Sequence, residues 1–180
     1  MQVVIMNDSP QSCDVAGKLD LREDPGAIER IEIARRHPAL RGFLLSLNAE
    51  ESPFSTFGCK VWNDDQDSDA ERCIFASRVD LLLSRAPAGV GKEQYEEFAR
   101  RLATLLEREP GESIRAELHI ARAEISRDRQ GFCLRLFLFA RGARPEQAQL
   151  RWSLGTARVQ QALLFVARAL RHQSGAGVMD

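Results

Sequence analysis

The sequence predicts an α+β fold: an antiparallel sheet of four or five strands with two main helices on one face, arranged as strand–strand–helix twice after an N-terminal helical region. Three observations lead there. Two pairs of strand-like segments, 54–62 with 73–83 and 113–125 with 132–141, are each followed by a segment whose apolar residues recur at helical spacing. The two strand-to-helix passages share a texture, Gly91-Lys92-Glu93-Gln94 in one and Arg144-Pro145-Glu146-Gln147 in the other. With 180 residues, 44% hydrophobic and 28% charged, the chain is the size and composition of one globular domain that buries a core without staples.

Residues 1–23 carry a short strand-like run at Gln2–Met6 and otherwise read as a loose arm; residues 24–180 form the domain. Asp24-Pro25 has the form of an N-cap followed by proline at the first helical position, opening a helical stretch to about Arg36. His37-Pro38 punctuates it. Leu40, Phe43, Leu44 and Leu47 then make an amphipathic stripe closed by Asn48 to Pro53.

In the first strand Phe57, Cys59 and Val61 share a face, which leaves Phe54 and Trp62 out of phase and exposed. In the second, Cys73, Phe75, Val79, Leu81 and Leu83 are in phase. Tyr95, Phe98, Ala99, Leu102, Leu105 and Leu106 form the buried stripe of a helix over 93–108. Along 113–125 the apolar phase flips between Ile120 and Ala121, as expected of a bulge or of a strand whose cover changes along its length. The strand over 132–141 is apolar on both faces and therefore central.

The last element is ambiguous at first sight. Ala148, Leu150, Trp152 and Leu154 alternate as in a strand, yet Ala148, Trp152, Gly155, Val159, Ala162, Leu163, Val166 and Leu170 line one helical face. The longer pattern and Pro145 favour a helix from about 145 to 172, with a break near Gly155. This order of elements loosely resembles that of small bacterial α+β chaperones and interaction modules, in element order alone, and a fold does not specify a function.

Several chemistries can be weighed position by position. The run Trp62-Asn63-Asp64-Asp65-Gln66-Asp67-Ser68-Asp69-Ala70-Glu71 spaces Asp65, Asp67 and Asp69 as in the opening of an EF-hand calcium loop. The required glycine is Ala70 and the distal glutamate is Ala76, so a solvated turn is the plainer reading. Ala86 to Glu93 sits where a phosphate-binding loop would, but Ala86 replaces its first glycine and Glu93 its magnesium-binding hydroxyl. Four cysteines lack zinc-like spacing. No metal or cofactor is expected.

For catalysis the strongest grouping is a polar row: Arg115, Glu117 and His119 two apart on one strand, with Arg135 on its neighbour. A cross-strand ion-pair ladder is the plainer account of it. For anionic polymers, residues 110–180 carry net +5 against −6 for 1–109, and Arg127, Arg129, Arg141, Arg144, Arg151 and Arg158 supply much of that excess. No aromatic RNA-binding motif or helix-turn-helix signature accompanies them.

The short apolar runs and the absence of a basic leader in "MQVVIMNDSP" argue for a cytoplasmic protein without membrane association. The function expected is a non-catalytic adaptor or chaperone-like module binding a protein partner, a second copy of itself included, with Phe54, Trp62 and Arg115 on its binding surface. Nucleic-acid or other polyanion binding through the C-terminal half is the alternative. A small enzyme using His119, Glu117 and Arg135 is the third reading.

Overall fold

A computed structural model describes residues 1–7, 13–14, 19–65, 73–83, 91–108, 113–126 and 129–175, and of residues 13–14, 64–65, 126, 129 and 171–175 the backbone alone. Strands β1 (Gln2–Met6) and β2 (Cys13–Asp14) come first. A 3₁₀ turn (Pro25–Arg30), α1 (Glu32–Arg36) and α2 (Pro38–Leu47) follow. The hairpin β3 (Phe54–Asp65) and β4 (Cys73–Leu83) leads to α3 (Lys92–Glu107). A second hairpin, β5 (Ile114–Ser126) and β6 (Arg129–Gly142), leads to α4 (Pro145–Gly175).

The strands make one sheet in the order β1-β5-β6-β4-β3, with β2 also on β5. β3, β4, β6 and β5 pair antiparallel, while β1 and β2 run parallel to β5. The sheet is thus mixed, where an antiparallel one was expected. Side-chain alternation has the same period in both pairings, so the pattern of Gln2–Met6 contains no direction. The parallel strand is drawn in by burial: Val3 and Ile5 pack on the core beside Ala116, Leu118 and Ile120 of β5.

The N-terminal helical region opens as its capping residues dictate. Asp24 Oδ1 accepts from Ala27 N at 3.2 Å with Pro25 in the first turn, although the turn is 3₁₀ and breaks at the extended Ile31. Leu40, Phe43, Leu44 and Leu47 of α2 are buried, as are Tyr95, Phe98, Ala99, Leu102 and Leu106 of α3. Asn48 caps α2 and ties it to the sheet: its Nδ2 donates to Leu44 O and Thr56 Oγ1, and its Oδ1 accepts from Thr56 N. Buried Tyr95 accepts from Leu83 N at 3.1 Å and so fastens α3 to the end of β4.

The described helices lie on one face of the sheet, where they share a single core with Phe75, Val79 and Leu81 of β4 and Leu134, Leu136 and Leu138 of β6. α4 is unbroken through Gly155. A Cβ there would meet Ile114 Cγ2 at 3.1 Å and Leu138 Cδ2 at 3.4 Å, so the glycine lets the helix lie close on β5 and β6 rather than ending it. Next to it Trp152 is buried with Nε1 donating to Ser77 Oγ at 2.8 Å, and its ring packs 4.9 Å from that of Phe75. Among the described residues no helix is long and apolar enough to cross a membrane.

His37, between α1 and α2, sets its ring edge-on to Phe75 at 5.4 Å and to Trp152 at 5.9 Å. Its Nδ1 is buried without a hydrogen-bond partner among the described residues. Burial, reinforced by neighbouring Arg36, holds its pKa below the ordinary value. The folded state then resists a proton that the unfolded chain accepts below about pH 6.5. The stabilisation is complete above that pH and is lost as pH falls toward the folded-state pKa.

Denaturant titrations across a pH series should show the unfolding free energy declining below about pH 6.5, with His37→Phe removing that increment. An identical pH slope in the variant would refute the assignment. Trp152→Ala should cost about 3–5 kcal/mol, the range for deleting a buried large aromatic, measured by urea unfolding.

Candidate binding face of the sheet

The face opposite the helices is laid out by register. Three rows cross it from β1 to β3: Met6, His119, Arg135, Asp80 and Gly58; Val4, Glu117, Phe137, Arg78 and Lys60; Gln2, Arg115, Phe139, Ala76 and Trp62. Residues directly opposite on neighbouring strands project to the same side, so each row is a line of adjacent side chains.

The third row explains an aromatic cluster. Ala76 is fully buried and stands between Phe139 and Trp62. Because it projects only a methyl group, the two large rings lean over it and meet at 6.1 Å, nearly perpendicular. Phe137 joins them, at 6.4 Å from Trp62 and stacked at 6.2 Å on Phe139. All three rings are half-buried.

Charge surrounds this cluster. Arg115 Nη2 lies 2.7 Å from Glu117 Oε1, and Glu117 Oε2 lies 3.0 Å from His119 Nε2. The His119 ring sits 4.8 Å from Phe137. Arg115, Glu117 and His119 therefore form the chain expected on one strand. Arg135 turns the other way: its Nε donates to Asp80 Oδ1 at 2.9 Å, with side chains only 6% and 5% exposed. Sequence reading missed Asp80, which lies 55 residues from its partner on a strand otherwise read by its apolar phase.

Arg78 Nε is 3.6 Å from Asp80 Oδ2, within ion-pair range but beyond hydrogen-bond reach. Gly58 faces this carboxylate, and a Cβ there would stand 2.9 Å from Asp80 Oδ2, an oxygen held in place by the buried pair. Lys60 and Arg78 lie directly opposite each other on β3 and β4.

Phe54 is a correction. It is 1% exposed and packs edge-on to Phe98 of α3 at 5.6 Å, so it belongs to the core and not to the binding surface. The cause is a bulge in β3, where the register shifts between Thr56 and Gly58. The extra residue reverses the phase, so that Phe54 and Thr56 share the helix side with Cys59 and Val61. Phe57, expected beside Cys59, instead packs on the opposite face with Ala121, Ala123 and Cys133. The flip read at Ile120 and Ala121 has no bulge; both faces of β5 are buried there, and its register shift lies between Glu124 and Ser126.

The basic residues divide. β6 separates Arg129 at its start from Arg141 near its end by about 40 Å at some 3.3 Å per residue. Arg127 lies outside the described residues. Arg141 and Arg144 are exposed near the β6–α4 junction, where Arg151 donates to Arg141 O at 2.6 Å, and Arg158 donates to Leu106 O at 2.7 Å. These arginines do not form one continuous patch on the described residues.

Asp67 and Asp69 lie outside the described residues and Asp65 is described by its backbone alone. Among the described residues no three His, Cys, Asp or Glu side chains converge as a metal-ligand set. Burial, aided by Asp80, pushes the Cys59 thiol up to about 11, far from a reactive thiolate. A cavity of about 300 Å³ lies away from the polar row, between Leu19, Leu21, Ile31 and Leu44 and the bulge at Phe57 to Cys59.

Replacing Arg135 by Met should destabilise the fold by up to about 3–5 kcal/mol, because buried Asp80 keeps only the longer 3.6 Å contact with Arg78. The double variant Asp80→Leu with Arg135→Met should recover most of that loss in the same urea titration; a double as unstable as the single would show that the pair is not the unit. No protein-family model, curated protein or solved structure matches this chain.

Proposed function

We propose that the protein is a non-catalytic interaction module whose open sheet face receives a partner protein segment that is apolar at its centre and acidic at its flanks. The observation that carries this reading is the cluster of Trp62, Phe137 and Phe139, which lies on the face without helices and is bordered by Lys60, Arg78, Arg115 and Arg141. Aromatic residues ringed by polar ones are the usual anatomy of an energetic centre in a protein interface.

The charges favour an acidic partner in particular. Lys60 stands opposite Arg78, and although Arg78 lies 3.6 Å from Asp80, that carboxylate is shared with Arg135, so an anion docked over Lys60 and Arg78 relieves their repulsion. Among the described side chains of this face, Glu117 is engaged by Arg115 and His119, and Asp80 by Arg135 and, at 3.6 Å, by Arg78. The face is also a better docking surface than the nearby edge of β3, since a bulge and exposed Lys60 are features that discourage strand addition.

A photo-crosslinking residue at position 62 should capture a partner polypeptide in cells, whereas the same residue at exposed position 93 on α3 should not. With that partner in hand, Trp62→Ala should weaken binding by about 2 kcal/mol or more, and raised salt should weaken it further. Equal capture at both positions, or a Trp62→Ala variant that binds undiminished, would end the proposal.

A further inference from the structure

α4 carries a second apolar stripe that its own fold does not use. Leu150, Leu154 and Phe165 are 61%, 63% and 63% exposed, the most exposed large hydrophobic side chains among the described residues. At about 100° per residue they fall, with Glu146, Ala157, Gln161, half-buried Leu164 and Arg168, in one sector of the helix surface. That sector lies diametrically opposite buried Ala148, Trp152, Val159, Leu163 and Val166. It faces away from the sheet and runs for about 22 Å from Leu150 to Phe165.

We infer that this outer stripe of α4 is a self-association surface, on which a second copy of the chain packs its own α4 antiparallel about a two-fold axis at Ala157 and Arg158. The order of residues is self-complementary under that operation. Leu150 meets Phe165 of the second copy, Leu154 meets Gln161, and the small Ala157 lies where the two helices come closest.

Charge selects both the occupant and the direction. Within the exposed sector the formal charges stand at the two ends, Glu146 in the first turn and Arg168 in the last part, and both are exposed. Antiparallel packing brings each Glu146 to an Arg168 and aligns the helix dipoles favourably. Parallel packing would set like against like at both ends. Between Leu150 and Phe165 the flanks do not interfere: Arg151 and Arg158 are turned onto the carbonyls of Arg141 and Leu106, and the other flank carries neutral Ser153 and Gln160.

The two sheets of such a dimer face outward on opposite sides. The inference does not rest on the partner reading of the sheet face, and it holds or fails separately.

Sedimentation velocity from about 1 to 100 μM should show a monomer–dimer equilibrium with micromolar affinity. Leu154→Glu, at an exposed position that leaves the circular dichroism spectrum unchanged, should raise the dimer dissociation constant by about 100-fold or more, since both copies lose the contact. Glu146→Arg should weaken the dimer roughly threefold to tenfold, and adding Arg168→Glu should restore it. Ala157→Cys should give a disulfide-linked dimer on mild oxidation that the unsubstituted chain, with its own cysteines, does not. A monomer at every concentration, a dimer indifferent to Leu154→Glu, or a Glu146→Arg variant that dimerises at full strength would overturn the inference.

Discussion

The approach of α4 to the central strands sets the arrangement of everything else. At Gly155 the helix comes so near β5 and β6 that a methyl group would press on Ile114 and Leu138. One turn earlier Trp152 enters the core and donates to Ser77, a hydroxyl projecting from an otherwise apolar stretch of β4. A buried indole N–H without a partner would cost about 1–3 kcal/mol, so the Ser77 contact fixes the helix both along and around its axis. α2 and α3 then fill the space on either side, and His37 closes the end against Phe75 and Trp152.

Filling one face leaves the other to be managed by side chains rather than by a second layer. Small residues serve as floor there: Ala76, Ala121, Ala123 and Cys133 are buried beneath larger neighbours. Trp62 and Phe139 lean over Ala76, while Arg135 and Asp80 satisfy each other. A buried ion pair is a poor source of stability, because desolvation offsets most of its attraction. It does fix where charge stands on the face: Arg78 lies 3.6 Å from Asp80, with Lys60 directly across from it, next to the aromatic rings.

Much of this was legible in the sequence, and the exceptions have identifiable causes. The stripes of α2 and α3 and the two hairpins follow from periodicity, since burial on one side imposes it. Phe54 was misplaced because one bulge residue inverts the phase of a strand, and nothing in "FSTFGCKVW" marks the bulge except Gly58, whose reason for being glycine is Asp80 on the next strand. The pairing of Arg135 with Asp80 was hidden for the same reason, since it depends on the register of β4 against β6. Arg115, Glu117 and His119 were visible because they lie on one strand two residues apart. The grouping of Arg129 with Arg141 failed because nearness in sequence becomes distance along an extended strand.

The ambiguity over residues 147–154 has a more instructive origin. Ala148, Leu150, Trp152 and Leu154 alternate with polar residues as a strand would, although the segment is helix throughout. The alternation comes from superposing two helical stripes on opposite sides of α4. Ala148 and Trp152 belong to the buried stripe, Leu150 and Leu154 to the exposed one. A helix serving only its own core would carry polar residues at 150 and 154 and would not imitate a strand. The strand-like signal is therefore the trace of a second surface requirement on α4, and an antiparallel pairing of two α4 helices supplies one that matches the positions of Leu150, Leu154 and Phe165 together with the opposed charges of Glu146 and Arg168.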